Sequence, residues 1–311
     1  MRILIGVFIG LLVIDLAFWG YYYYDQNREP RSPLGQVQEL FEGERPLEKY
    51  SFENLQERQG IPSTIEIGEE LNKDEDRGIA SHLFTYTTDE TKTVSGVITL
   101  PEEAENAPVI VMFRGYVNPS IYRPGLGTEN YAAYLAERGF VTLAPDFLDH
   151  GESDLSGELP LEGRFETYTT ALDMLASVEN LNNAVTQLEE YDVTVDPSKI
   201  GIWGHSNGGH IALSVLAITG KDYPTTLWNP VSKHFPYSIM FYMDEAEDQG
   251  KYLRKIVADF EAEYNIDTYS TPNYYDWIEA PIQLHQGAAD SILPQKWSDQ
   301  LDATLRDLEV D

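Results

Sequence analysis

The segment Gly201-Ile202-Trp203-Gly204-His205-Ser206-Asn207-Gly208-Gly209-His210 constrains this chain more than any other. An apolar run, Ser198 to Trp203, leads into a Gly-x-Ser-x-Gly pattern at 204, 206 and 208, and an apolar stretch, Ile211 to Ile218, follows at once. That order demands a strand, a sharp turn and a helix. Glycine lacks a Cβ and lets strand and helix backbones approach closely, which leaves the serine at the tip with its oxygen facing a cleft. The helix N-terminus also aims backbone N–H groups at the place where negative charge would develop on a bound carbonyl. The five-residue pattern is common by chance, so its meaning comes from the strand before it and the helix after it.

The rest of the chain supplies a sheet for that turn to sit on. His82 to Thr87 and Val94 to Leu100 read as an antiparallel hairpin, with Pro101 ending its second strand. Val109-Ile110-Val111-Met112-Phe113 is a continuous apolar run of the kind buried on both faces of a sheet. A helix at about Glu129–Arg138 stops at Gly139, and a strand, Phe140 to Ala144, follows. A long helix is expected over about Phe165–Tyr191, strands over Tyr237–Tyr242 and Ala280–His285, and an amphipathic helix over Gln295–Leu308. Alternating strands and helices imply an α/β fold with a mostly parallel sheet and helices on both faces. Residues 244–275 interrupt the alternation and are expected to form a small cap.

The polar, proline-punctuated stretch 25–78 is expected to be a stalk with short helices at Val37–Phe41 and Phe52–Arg58, followed by one domain over 79–311. Residues 3–24 are apolar or aromatic apart from Asp15. At 1.5 Å per residue they would extend roughly 33 Å, enough to cross a bilayer. Residues 1–24 are therefore expected to be a transmembrane anchor or signal segment. The uncleaved anchor is favoured, because Ala17-Phe18-Trp19 makes a poor cleavage site. The membrane is then a partner through residues 3–24, with the globular part outside the cytoplasm.

With 52 acidic against 21 basic residues the formal net charge is −31, which repels phosphate backbones and argues against nucleic-acid binding. The chain has no cysteine, so disulfides, thiol nucleophiles and cysteine-based metal sites are excluded, and no His-x-x-x-His pattern occurs. No metal or organic cofactor is expected.

Four stretches together resemble the α/β-hydrolase superfamily, in its prolyl-oligopeptidase and dienelactone-hydrolase branch. Gly204-His205-Ser206-Asn207-Gly208-Gly209 matches that branch's nucleophile turn. Phe113-Arg114-Gly115-Tyr116 stands where such enzymes carry His-Gly-x, with Arg114 in place of the histidine. Asp146 to Ser153 resembles the stretch after the fourth strand, and Pro281 to Pro294 resembles the strand and acid loop. The resemblance implies Ser206 as nucleophile, Asp290 as the triad acid, and the backbone N–H groups of Asn207 and Tyr116 as the oxyanion hole. Asp149, His150 and Ser153 are expected to order a loop, and His205 to be a packed neighbour of the site.

The histidine departs from the pattern. Triad order in this superfamily is Ser, Asp, His, yet only 21 residues follow Asp290 and none is histidine. A strand and a histidine loop are therefore expected to be missing at the C-terminus, with His82, His150, His205, His210, His234 and His285 all preceding the acid. The expected activity is that of a serine hydrolase cleaving a peptide or ester bond in a small-molecule or peptide substrate, a prolyl-oligopeptidase-like peptidase being favoured. The alternatives are a carboxylesterase or dienelactone-hydrolase-like esterase, and an inactive membrane-tethered binding protein on the same fold.

Overall fold

The computed structural model describes residues 43–89, 91–243 and 248–310. A short helix, α1 (Phe52–Arg58), is capped by Ser51, whose Oγ accepts the Asn54 N–H at 3.3 Å. Three antiparallel strands follow, β1 (Glu66–Asp74), β2 (Ile79–Thr88) and β3 (Lys92–Pro101). The chain continues through β4 (Glu103–Phe113), α2 (Glu129–Ala136), β5 (Val141–Pro145), α3 (Glu162–Ser177), α4 (Leu181–Val185), β6 (Asp192–His205) and α5 (Asn207–Thr219). It ends with β7 (Thr225–Trp228), a helical turn α6 (Tyr237–Met240), α7 (Lys251–Glu263), β8 (Ile282–His285) and α8 (Gln295–Asp307). The eight strands form one sheet in the order β1-β2-β3-β5-β4-β6-β7-β8. Strands β5, β4, β6, β7 and β8 run parallel, and β3 lies antiparallel to β5. This is the expected α/β architecture.

The unbroken apolar run in β4 has a physical reason. Successive side chains point to opposite faces of a strand, and both faces here are covered. Val109, Val111 and Phe113 enter the large core with Phe52 of α1, Leu172 of α3 and Leu213 of α5. Ile110 and Met112 instead pack with Ala132 and Leu135 of α2 and with Trp203 of β6. On that second face a groove of about 1080 Å³ lies open beside α2, with Trp203, Trp228, Ile282 and His285 in its wall.

Because β4 to β8 are parallel, the residues following them (Arg114, Asp146, Ser206, Asn229 and the 286–294 loop) collect along one edge of the sheet. Chain order reverses at β4, which lies between β5 and β6. Ligands of open α/β sheets bind outside the carboxyl ends of the strands at such a switch point.

Several elements differ from expectation. The helix expected over Phe165–Tyr191 breaks after Ser177 into a 3₁₀ turn and the short α4. The break coincides with polar side chains that take up backbone groups elsewhere. The Asn180 amide donates to the Ser63 carbonyl at 3.1 Å, and Asn182 Oδ1 accepts the Val195 N–H at 2.9 Å. Tyr237–Tyr242 is not a strand but begins with the turn α6; the sheet strand is Thr225–Trp228, a run of four residues between Pro224 and Pro230.

The expected stalk is structured from residue 47 onward, and the expected cap packs against it. Leu47, Tyr50, Phe52 and Leu55 are buried in the main core together with Phe260, Tyr264, Tyr269 and Tyr274. Phe52 stacks on Tyr274 with ring centroids 4.7 Å apart. Residues 47–58 thus form a strap across the domain. The expected membrane segment 1–24 and the helix at Val37–Phe41 lie outside the described residues. Among the described residues no helix is long and apolar enough to cross a membrane.

Candidate active site

Ser206 joins β6 to α5 at φ 55° and ψ −117°, a conformation that L-residues rarely adopt. Such strain costs about 1–3 kcal/mol and persists only where the surroundings enforce it. Here they do. The Ser206 N–H donates to the Trp228 carbonyl at 3.0 Å. The Ser206 carbonyl accepts N–H groups from Gly209 at 3.0 Å, His210 at 3.3 Å and Val231 at 3.0 Å. The glycines leave no room for side chains: a Cβ on Gly208 would lie 1.9 Å from the Phe113 carbonyl oxygen, and one on Gly209 would lie 2.6 Å from Pro230. One on Gly204 would lie 2.8 Å from the Gly208 carbonyl oxygen. Ser206 therefore stands in the strained strand-to-helix turn that the glycine spacing implied. Asn207 begins α5, and the first N–H groups of a helix have no intrahelical partner.

Asp290 lies in the loop after β8. Its Oδ1 accepts the N–H groups of Ile292 at 2.7 Å and Leu293 at 3.0 Å, and its Oδ2 accepts the Asn229 side-chain amide. The Leu293 N–H above all, with those of Ile292 and Asn229 and the nearby His205, holds this carboxyl below the usual range. Asn229 also accepts the Gly287 N–H at 2.9 Å through its Oδ1. One side chain thus pins the start of the acid loop and Asp290 itself to the end of β7, next to the Trp228 carbonyl that holds Ser206. Ser206 and Asp290 are brought to the same edge through residues 228–231. Sequence reasoning missed Asn229 because it misplaced β7; the Asn-Pro pair closing a short β-branched run was the available signal.

The oxyanion-loop candidate Tyr116 follows Gly115, whose added Cβ would sit 3.2 Å from the Ser206 Cβ and 3.2 Å from His205 Nδ1. The β4 loop therefore lies directly against the nucleophile turn. His205 is exposed overall, with one side of its ring against Trp203 and the backbone of Gly115. Burial of its ring depresses its pKa, opposed by the Asp290 charge.

His150 bridges the Leu148 and Val117 carbonyls at 3.0 Å each, Ser153 Oγ accepts the Ser95 N–H at 2.9 Å, and Asp149 accepts the Ser156 N–H at 2.9 Å. These three order the loop after β5, as expected. His210 is buried, and its Nε2 accepts hydrogen bonds from Tyr168 at 2.8 Å and Arg164 at 3.1 Å. Burial, with the Arg164 charge, holds it well below the usual histidine range and so neutral. His82 is buried against Tyr191, His234 meets Asn273, and His285 stacks on Trp228. Among the described residues no histidine hydrogen-bonds to Ser206 or Asp290.

An apolar cluster fills the space beside the acid. Val231, Leu293 and Trp297 pack together with Tyr242, flanked by half-exposed Tyr237 and Phe241. Burial, and then the Asp290 charge, push the Tyr242 hydroxyl up to about 12. The large groove beside α2 does not include Ser206; the strained serine, not cavity size, marks the reactive edge.

A serine driven into this conformation at the end of a parallel strand, with a loop carboxylate at the same edge of the sheet, is the arrangement of serine hydrolases on the α/β-hydrolase fold. Residues 127–311 match the model of the Prolyl oligopeptidase family, and the chain belongs to that family. It is a serine hydrolase of the peptidase or esterase kind.

Solved structures with similar folds include an esterase from Pyrococcus furiosus, 18% identical, covering 80% of this chain and 85% of that one with a TM-score of 0.51. An acetyl xylan esterase from Paenibacillus sp. R4 is 15% identical, with 90% of this chain and 99% of that chain covered and a TM-score of 0.48. Dipeptidyl peptidase 4 from Porphyromonas gingivalis is 18% identical, with 75% of this chain and 31% of that chain covered and a TM-score of 0.48. No curated protein matches the chain.

Proposed function

We propose that this protein cleaves a peptide bond, or alternatively an ester, through an acyl-enzyme formed on Ser206. Asp290 is the carboxylate that orients the histidine base, and the Asn207 and Tyr116 backbone N–H groups receive the developing oxyanion. The strained Ser206 turn carries this reading: a serine held at positive φ by four backbone hydrogen bonds at the end of a parallel strand is the geometry that a reactive serine needs. Peptidase activity is favoured by the Ser-Asn-Gly-Gly turn and by the family match over residues 127–311. The cluster of Val231, Tyr242, Leu293 and Trp297 beside the acid suits an apolar group next to the scissile carbonyl. The proposed domain is tethered through residues 3–24 and faces away from the cytoplasm.

Among the described residues no histidine hydrogen-bonds to Ser206 or Asp290, so the chain in this arrangement should acylate slowly. Without its base such a site keeps only the acceleration from binding and the oxyanion hole, about 10³–10⁴-fold over water. A fluorophosphonate probe is the test. Slow labelling of the parent and none of Ser206→Ala is expected. A folded parent that never labels would favour a binding protein on this fold. Matched peptide and ester substrates with a common acyl group then separate the two activities.

A further inference from the structure

Arg114 occupies the place where the resemblance expects a histidine, and it is a buried cation whose hydrogen bonds go to backbone carbonyls. It is 6% exposed. Its Nη1 donates to the Gly115 carbonyl at 3.0 Å and its Nη2 to the Asp146 carbonyl at 2.7 Å. The guanidinium lies over the Tyr122 ring, 4.5 Å from its centroid. Tyr122 in turn donates to the Asp146 carboxylate, whose other oxygen accepts Ser95 Oγ at 2.6 Å. The fork therefore spans the loops that follow β4 and β5, and its own position is fixed from the β5 side.

We infer that Arg114 is the positioning residue of the oxyanion hole, acting through the Gly115–Tyr116 peptide plane; the inference rests on the Ser206 reading above. In a trans peptide the C=O and the following N–H point in opposite directions. A guanidinium gripping the Gly115 carbonyl from one side thus turns the Tyr116 N–H to the other. Gly115 packs directly against the Ser206 turn, so that N–H is presented beside the nucleophile. A charged donor on the carbonyl also polarises the peptide and strengthens its N–H as a donor. Lysine could neutralise the same region but could not grip two carbonyls with a rigid planar fork.

The test uses the full chain with Arg114→Met and Arg114→Lys. The first readout needs no reactivity: hydrogen exchange of the Tyr116 amide and a crystal structure of each folded variant. The Gly115–Tyr116 peptide should lose its orientation in Arg114→Met. A peptide that keeps its orientation in folded Arg114→Met overturns the inference whatever the enzyme does.

The second readout is the rate of fluorophosphonate labelling, in which the phosphoryl oxygen takes the oxyanion's place. Removing an oxyanion-hole donor costs about 10²–10³-fold, so the maximal labelling rate should fall by about that factor, with the probe's initial binding unchanged and partial recovery in Arg114→Lys. A variant weakened only in its fold would instead lose binding or labelled fraction. If the parent itself does not label, the serine reading fails and the structural readout alone decides the role of Arg114. Should Arg114→Met not fold, Arg114→Lys carries both readouts. Labelling at the parent rate with both carbonyls ungripped would also sink the inference.

Discussion

Residues 204–209 and residues 47–58 both close onto the same core, but by different means. The turn around Ser206 is held by neighbours within a few positions on one side and by the β4 and β7 loops on the other. The strap is held by partners far along the chain. The Leu47 N–H donates to the Tyr264 hydroxyl and its carbonyl accepts the Tyr269 hydroxyl, across separations of 217 and 222 residues. At the turn, backbone geometry is the constraint, and a single added atom forces the turn to move. At the strap the constraint is electrostatic and apolar, gathered around one buried carboxylate. Asp173 is fully buried and accepts both Arg58 Nη atoms, at 2.9 and 2.8 Å, together with Thr88 Oγ1 at 2.7 Å and the Ile61 N–H at 2.7 Å.

The largest effect is therefore expected at the strap. Arg58→Met removes the cation and leaves the Asp173 charge buried, which costs about 3–5 kcal/mol. Urea denaturation measures the loss, and Ser206 labelling of the remaining folded fraction should be unchanged. A loss below about 1 kcal/mol would mean that the strap is not an integral part of the domain.

Gly208→Ala sharpens the opposite arm of the comparison. Its new Cβ would meet the Phe113 carbonyl oxygen at 1.9 Å, an overpacking worth about 1–3 kcal/mol. Despite the smaller stability cost, labelling at Ser206 should be lost, because relief requires the turn to move. Full labelling of the alanine variant would show that the turn tolerates displacement.

The smallest effect is expected at Asn229→Ala, which unpins the acid loop. The lost hydrogen bonds are worth about 1 kcal/mol each, and the Asp290 carboxyl should titrate closer to its ordinary value. The sign follows from the depressed native pKa of Asp290. Its contribution to stability is present above the unfolded value of about 4 and is lost as pH falls through the lower native value. Weakening the pin shrinks that acid-side loss. Carboxylate NMR across pH 2–5 reads the change directly, and an unmoved Asp290 titration in the variant would show that Asn229 does not hold the acid.

The same contrast explains what could be read in advance. The hairpin β2–β3, the apolar run of β4, the nucleophile turn and α8 follow from short-range pattern, and each lies where the residues indicated. Residues 47–58 read as part of a linker because the stretch 25–78 around them is polar and punctuated by prolines at 30, 33, 46 and 62, while Tyr50, Phe52 and Leu55 find their burial against residues far along the chain. The aromatic run at Tyr237–Tyr242 suggested a strand, yet the sheet took the shorter Thr225–Trp228 instead. Strand membership there depends on which run lies beside β6, and no local preference encodes that.

By itself the sequence determined the α/β class, the strained serine and the loop that carries Asp290, because glycine spacing and strand periodicity act over a handful of residues. Tertiary structure alone decided that Asn229 ties Asp290 to the strand holding Ser206, that Arg114 grips two carbonyls across the β4 and β5 loops, and that residues 47–58 belong to the core. Those outcomes depend on hydrogen bonds and buried charges between residues up to about two hundred positions apart. Such pairings are set by the packing of the whole sheet, which no short stretch of chain specifies.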